Sequence, residues 1–191
     1  MKSISRFYKT LFVVGTGLCL LPFSAISAFA EADSAIAQSP APLRAISLPP
    51  RLLAATSTYI NTYVRESTYY FTIEVPANAG KSLQQVNITQ RQGLERIRYD
   101  AQESRAFEGT PDHKGQKLPI QLASNDSQKN TVTVTFDQPI PPGKTVTIGL
   151  KPFRNPSYDG VYIFQLTAFA PGQQTDGQYI GTGRLQFYRG I

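Results

Sequence analysis

The sequence has no tryptophan and only one cysteine, one histidine and one methionine. The cysteine, Cys19, lies in an apolar segment near the start, so the chain beyond it has no thiol for a disulfide, a nucleophile or a metal site. The methionine is the initiator, and His113 alone does not supply the several soft ligands that a copper carrier uses. These absences exclude cysteine and soft-metal chemistry, and we predict no cofactor.

The first thirty residues have the layout of a cleavable export signal. Basic residues precede an apolar run at residues 11–21, and the segment ends in Ala28-Phe29-Ala30. The run is shorter than the roughly 20 residues that a membrane-spanning helix needs. We expect cleavage between Ala30 and Glu31, which places the mature protein in the periplasm or cell envelope, in the medium or in the thylakoid lumen.

Composition predicts one folded domain. Removing 30 of the 191 residues leaves 161, enough for one domain and a tail. The signal carries three of the 19 basic residues, so 16 basic then oppose 13 acidic residues and the net charge falls from +6 to +3. No basic cluster with interleaved aromatics follows, so no nucleic-acid partner is predicted. We expect a flexible spacer at residues 31–48, a domain at residues 49–191 and no membrane span in the mature chain.

Beyond residue 49 the apolar side chains recur with a period of two. In Tyr69–Val75 every second residue is aromatic or aliphatic, which is typical of a half-buried strand. The run Val161–Ala170 is apolar on both faces and predicts a central strand covered on both sides. Pro119 predicts an edge strand, and Gly181 with Gly183 predicts a bulge or sharp bend.

Eight or nine such strands, separated by turn signals, predict an all-β fold. The expected architecture is an antiparallel, immunoglobulin-like β-sandwich. No long helix is expected, and the best candidate for a short one is residues 100–107, at most a turn or two.

Five separated blocks carry a resemblance to a known family. They are Tyr69–Pro76, Arg105–Thr110, Pro141–Leu150, Gly160–Phe164 and Gly183–Tyr188. In this order they resemble the family of secreted cyanobacterial proteins catalogued as domain of unknown function 2808, over roughly Pro49 to Tyr188. The resemblance implies a cyanobacterial source, export and no established activity, and it supplies no catalytic residue.

Four arginines are candidate ligand-binding residues. Arg96 and Arg98 share one face of a predicted strand, while Arg105 and Arg154 come from predicted loops. If they converge, their planar donors suit a carboxylate or a sulfate. The alternative is a solvated face whose arginines pair with nearby carboxylates.

Two further residues are candidates for ligand contacts. Tyr158, in the loop at residues 155–160, is placed to stack on a sugar ring, unless it only rims the sandwich. Glu108 is expected to pin a long loop by bonding Arg105 or a loop amide, with Phe107 anchoring that loop to the core.

The sequence therefore predicts an exported, non-catalytic binding or structural module of the cell envelope or extracellular matrix. Its expected ligand is a polysaccharide or a protein. The alternative is a glycan hydrolase that uses two carboxylates of the loop at residues 103–112, where Glu103, Glu108 and Asp112 lie. His113 is expected to be exposed in a turn, and no catalytic or metal-binding residue is predicted.

Overall fold

The computed structural model describes residues 47–124, 130–173 and 175–190, with the backbone alone at residues 123 and 124. Ten strands lie within these residues: β1 (Arg51–Ser57), β2 (Tyr69–Val75), β3 (Leu83–Gln92), β4 (Tyr99–Gly109), β5 (Lys114–Leu118), β6 (Ile120–Ser124), β7 (Thr131–Ile140), β8 (Lys144–Pro152), β9 (Gly160–Phe169) and β10 (Gln178–Phe187). The all-β class is confirmed, with ten strands in place of the predicted eight or nine. No helix in the described residues is long and apolar enough to cross a bilayer.

The strands form two five-stranded antiparallel sheets that face each other across one core. The first sheet has the order β1-β2-β8-β4-β5 and the second has the order β10-β9-β3-β7-β6. The core comes from the inward positions of both sheets, because a period of two places alternate side chains on one face. Tyr69, Phe71, Ile73 and Val75 of β2 are all fully buried, as their spacing predicts. Burial of each such side chain contributes roughly 1.5–3 kcal/mol.

The two sheets meet closely along both sides. On one side β10 approaches β1, and Gly181 and Gly183 receive the side chains of Leu52 and Ala55. The register of β10 against β9 also shifts between Tyr179 and Gly181, which confirms the predicted bulge. On the other side Pro119 separates β5 from β6, the edge strands of the two sheets. The chain crosses between sheets at this proline, which has no N–H to donate to a ladder.

The predicted helical turn at residues 100–107 is wrong, because this segment is part of β4. Its pairing with β8 shifts between Asp100 and Arg105, so the residues between them bulge from the sheet. The Asp100 carboxylate accepts from the amides of Gln102 and Glu103, at 2.8 and 3.4 Å. Short polar side chains that bond their own backbone favour turns over helix, which explains the bulge.

Strand β9 is an inner strand, as predicted, but it is covered on one face only. It pairs with β10 and with β3, and Tyr162, Phe164 and Leu166 are fully buried. On the opposite face Val161 and Ile163 are half-buried, and only Phe169 at the end of the strand is buried. No other layer of described residues lies on that face, so the prediction of two covered faces is wrong.

The predicted export signal, its cleavage site at Ala30 and Glu31, and most of the spacer lie outside the described residues. The end of the spacer is attached to the sandwich. The Ser47 hydroxyl donates to the Ala79 carbonyl at 2.8 Å, and the Leu48 amide donates to the Asn78 carbonyl at 3.3 Å. The last two residues of the predicted spacer, Ser47 and Leu48, are therefore bound to the sandwich.

Candidate functional site

Three connections and the end of β10 meet at one end of the sandwich, which we call the loop end. It comprises residues 58–68, 93–98, 153–159 and 188–190. Backbone hydrogen bonds join the segments: Phe153 donates to the Arg98 carbonyl at 3.1 Å, and Tyr188 donates to the Ile60 carbonyl at 2.8 Å. Residues that are distant in sequence are thereby held beside each other.

The buried side chain of Asn155 fastens the loop end to the core. Its amide nitrogen donates to the carbonyls of Tyr59 and Asn61, at 3.0 and 2.7 Å, while its amide oxygen accepts from the Tyr69 hydroxyl at 2.9 Å. Asn155 is 0% exposed. A buried amide with these partners fixes the segments that it joins, because leaving any of those groups unpaired would be costly.

Sequence reasoning missed Asn155 as a structural residue. The available signal was the Asn155-Pro156 dipeptide, since an asparagine before a proline favours a turn and its side chain can replace backbone partners. Nothing in the sequence connects it to Tyr69, which lies 86 positions away.

The loop end contains a pocket of about 340 Å³ that we call the arginine pocket. Its lining residues are Arg65, Glu95, Arg96, Ile97, Arg98, Phe153, Arg154 and Pro156. Three of the four candidate arginines, Arg96, Arg98 and Arg154, thus line one pocket together with Arg65. Arg96 and Arg98 do not lie on a strand, but the buried Ile97 between them points inward, so both guanidinium groups project away from the core.

One carboxylate opposes the four guanidinium groups that line the arginine pocket. Glu95 pairs with Arg154 at 3.1 Å and accepts from the amide of Ser157 at 2.6 Å. Both its oxygens are therefore engaged within the loop end. Basic residues thus outnumber acidic ones in the lining of the pocket, which suits an anionic ligand.

Exposed aromatic rings border the arginine pocket. Phe153 is 56% exposed and lies beneath Arg98, whose guanidinium carbon is 5.9 Å from the ring centroid. Tyr63 is 60% exposed and lies beneath Arg154 at 5.4 Å. Its backbone φ is 64°, a left-handed conformation that is uncommon for a residue with a large side chain. Such strain often occurs at functional sites, where surrounding structure holds it in place.

The loop end carries most of the exposed large apolar side chains of the described residues. The described residues include ten such exposed side chains, and seven of the ten are in the loop end: Tyr59, Ile60, Tyr63, Leu94, Phe153, Tyr158 and Tyr188. Apolar groups concentrated at one place on a surface are typical of a binding region. Tyr158 is among them, but it does not line the arginine pocket.

Two predicted site residues lie elsewhere. Arg105 is on β4 and pairs with Glu103 at 3.4 Å, and Glu108 pairs with Lys144 at 2.6 Å. The expected bond between Glu108 and Arg105 is absent from the described contacts, and the segment to Gly109 is a strand rather than a loop. Phe107 is buried, but against Tyr70 on the outer face of the first sheet rather than in the core.

The remaining candidates for chemistry gain no support from their positions. Glu103 lines a pocket on the outer face of the first sheet, whereas Glu108 does not, so the hydrolase alternative lacks its second carboxylate there. His113 is exposed in the turn between β4 and β5, as predicted. Among the residues that the structure describes, no three metal-binding side chains of the His, Cys, Asp and Glu types come together.

Comparison with known proteins gives one family and a set of distant structural likenesses. The family model described as "Protein of unknown function (DUF2808)" matches residues 44–187. No curated protein matches the chain. The bacterial hydrophobin BslA is 15% identical with a TM-score of 0.47, over 76% of this chain and 98% of that one. The collagen-binding domain of a Staphylococcus aureus adhesin is 14% identical with a TM-score of 0.37, over 68% and 95%. At such values a structural likeness carries no argument about function.

Proposed function

This chain belongs to the DUF2808 family, and we propose that it is an exported, non-catalytic module that binds an acidic polysaccharide at the arginine pocket. The pattern of residues 1–30 supports export to the cell envelope or beyond. The observation that carries the proposal is the convergence of four arginines on one pocket beside two exposed aromatic rings.

The chemistry of the pocket suits the acid groups of such a polymer. A guanidinium group presents a planar set of donors that matches the two oxygens of a carboxylate or a sulfate. Arg98 and Arg154 rest on aromatic rings, which limits their side-chain freedom before a ligand arrives. Less rotamer entropy is then lost on binding.

The exposed rings supply the second requirement, a surface for the sugar itself. Pyranose rings bind well against the face or edge of an aromatic side chain, which offers apolar area together with fixed geometry. Phe153 lines the pocket, while Tyr63 lies beside it through its contact with Arg154. A chain of acidic sugars can therefore place an acid group on the arginines and a ring on Phe153.

The test is to measure the affinity of the mature protein for sodium polygalacturonate, a linear acidic polysaccharide. We expect the double variant Arg96→Ala/Arg98→Ala to bind at least roughly tenfold more weakly, since each hydrogen bond to a charged group contributes about 1.5–3 kcal/mol. Both side chains point away from the core, so we expect this variant to remain folded. Circular dichroism and thermal melting check that it does.

A matched control separates the pocket from overall charge. The double variant Arg91→Ala/Arg184→Ala removes two exposed arginines from the second sheet, and neither lines the arginine pocket. We expect it to bind like the wild type, apart from a small loss that added salt reduces further. Equal losses in the two double variants, or no loss in either, would show that the arginine pocket is not the binding site.

A further inference from the structure

The outer face of the first sheet carries a second pocket with an aromatic floor. Tyr70 on β2 faces Gly149 on β8, and Gly149 faces Arg105 on β4. Gly149 has no side chain, and a Cβ there would be 3.1 Å from the Tyr70 ring, so the ring lies across the strand. Phe107 meets Tyr70 edge to face, with 6.3 Å between the ring centroids. The two rings give this pocket an apolar floor, of which Tyr70 is the more exposed part.

Four cations surround this floor. The pocket of about 340 Å³ is lined by Arg105, Lys114, Lys117 and Lys151, and by one carboxylate, that of Glu103. The Lys114 ammonium group lies above both rings, 5.7 Å from the centroid of Tyr70 and 5.6 Å from that of Phe107. The cations outnumber the carboxylate by three, so this outer-face pocket favours an anion.

Protection of the sheet edge explains only part of this cluster. Lys114 and Lys117 lie on β5, an edge strand, and lysines on edge strands commonly prevent pairing with other chains. Lys151 and Arg105, however, come from β8 and β4, which are inner strands. Their convergence with the edge lysines around two rings is the arrangement expected of a binding site.

We propose that the outer-face pocket is a second saccharide site, which takes an acidic sugar residue. The lysines and Arg105 bind the carboxylate, and the sugar ring packs against Tyr70 beside the Lys114 ammonium group. The lining residues of this pocket and of the arginine pocket have no member in common. One domain can thus hold two polymer chains and cross-link them. The choice of ligand class rests on the proposed function, whereas the site rests on its own residues.

Two measurements test this proposal. Isothermal titration with tetragalacturonate counts the binding sites, and turbidity with long polygalacturonate detects cross-linking. We expect two sites for the wild type and one for the variant Lys114→Ala/Lys117→Ala, together with loss of turbidity. Both lysines are exposed, so the variant should fold normally. The control Arg91→Ala/Arg184→Ala should retain both sites and the turbidity.

The outcomes separate this proposal from the previous one. A single site in the wild type, with unchanged binding by Lys114→Ala/Lys117→Ala, overturns the second site and leaves the arginine pocket in place. Full retention of binding by Arg96→Ala/Arg98→Ala, with loss in the lysine variant, overturns the arginine pocket and supports the outer-face site. Turbidity that persists with either pocket disabled overturns the cross-linking role.

Discussion

Tyr69 in the core and Tyr99, which packs against the core, lie edge to face with ring centroids 6.0 Å apart, but their hydroxyl groups differ in hydrogen bonding. The Tyr69 hydroxyl donates to Asn155 at 2.9 Å. The Tyr99 hydroxyl is buried and has no hydrogen-bond partner among the described residues. The period of two correctly predicts that Tyr69 points inward, but it cannot predict which hydroxyl finds a partner, because that depends on a connection elsewhere in the chain.

Removing each hydroxyl separately should distinguish the two tyrosines. Tyr69→Phe leaves the buried Asn155 oxygen without its donor, so we expect the free energy of unfolding to fall by about 1–2 kcal/mol. Tyr99→Phe removes a buried polar group that has no described partner, so we expect no loss or a gain of up to about 1 kcal/mol. Urea denaturation of both variants measures the difference. Equal losses would contradict this assignment of the hydrogen bonds.

Among the elements, β10 has an irregularity that its two glycines correctly predict, but the sequence does not show why a glycine is needed at Gly183. The two glycines indicate an irregular strand, and the register shift at Gly181 agrees with this. The requirement at Gly183 is different: a Cβ there would be 2.6 Å from the Cβ of Ala55 and 3.3 Å from the Phe71 ring. The contact of Gly183 with Ala55 joins the last strand of the sandwich to the first. The sequence around either residue therefore cannot predict it.

This contact can be tested with a compensating pair. We expect Gly183→Ala to lower the free energy of unfolding by about 1–3 kcal/mol, because the added methyl group overpacks the junction. Adding Ala55→Gly should recover part of that loss, and a double-mutant cycle with urea unfolding gives the coupling. Gly190→Ala is the control, since a Cβ there meets nothing nearer than 3.6 Å. Strictly additive effects would argue against direct contact of the two residues.

In the candidate sites, too, local sequence predicts the direction of a side chain but not which distant residues lie beside it. Alternation around Ile97 predicts that Arg96 and Arg98 project from the same side, and both line the arginine pocket although neither lies on a strand. The separation of Arg105 from them follows from the sheet order β1-β2-β8-β4-β5, which places β4 between β8 and the edge. Strand order depends on pairing between residues far apart in the chain. The alternation of apolar residues in a single sequence does not predict that pairing.

For the whole molecule, we expect the two tyrosines with buried hydroxyl groups to lower the free energy of unfolding at high pH. Burial raises the pKa of Tyr69 and of Tyr99 above the usual value, which is about 10 in an unfolded chain. Above that pH the unfolded chain releases protons that the folded protein retains. The unfolded state then binds fewer protons, so the free energy of unfolding falls as the pH rises beyond about 10.

Parallel titrations by tyrosinate absorbance and circular dichroism check this. Part of the rise in absorbance should coincide with loss of the β signal, because these hydroxyls ionise only on unfolding. The variant Tyr69→Phe/Tyr99→Phe should show a shallower dependence of its unfolding free energy on pH in this range. Complete ionisation of the wild type with an intact β signal would refute the prediction.

The arginine pocket is assembled from stretches near residues 65, 95–98 and 153–156, which are far apart in the chain. Joining such distant stretches requires closure of large loops, a step that slows folding. A truncated or half-formed molecule therefore lacks the pocket altogether. Polysaccharide binding that is lost in Arg96→Ala/Arg98→Ala can thus report maturation, because only molecules that have completed their topology carry the whole cluster.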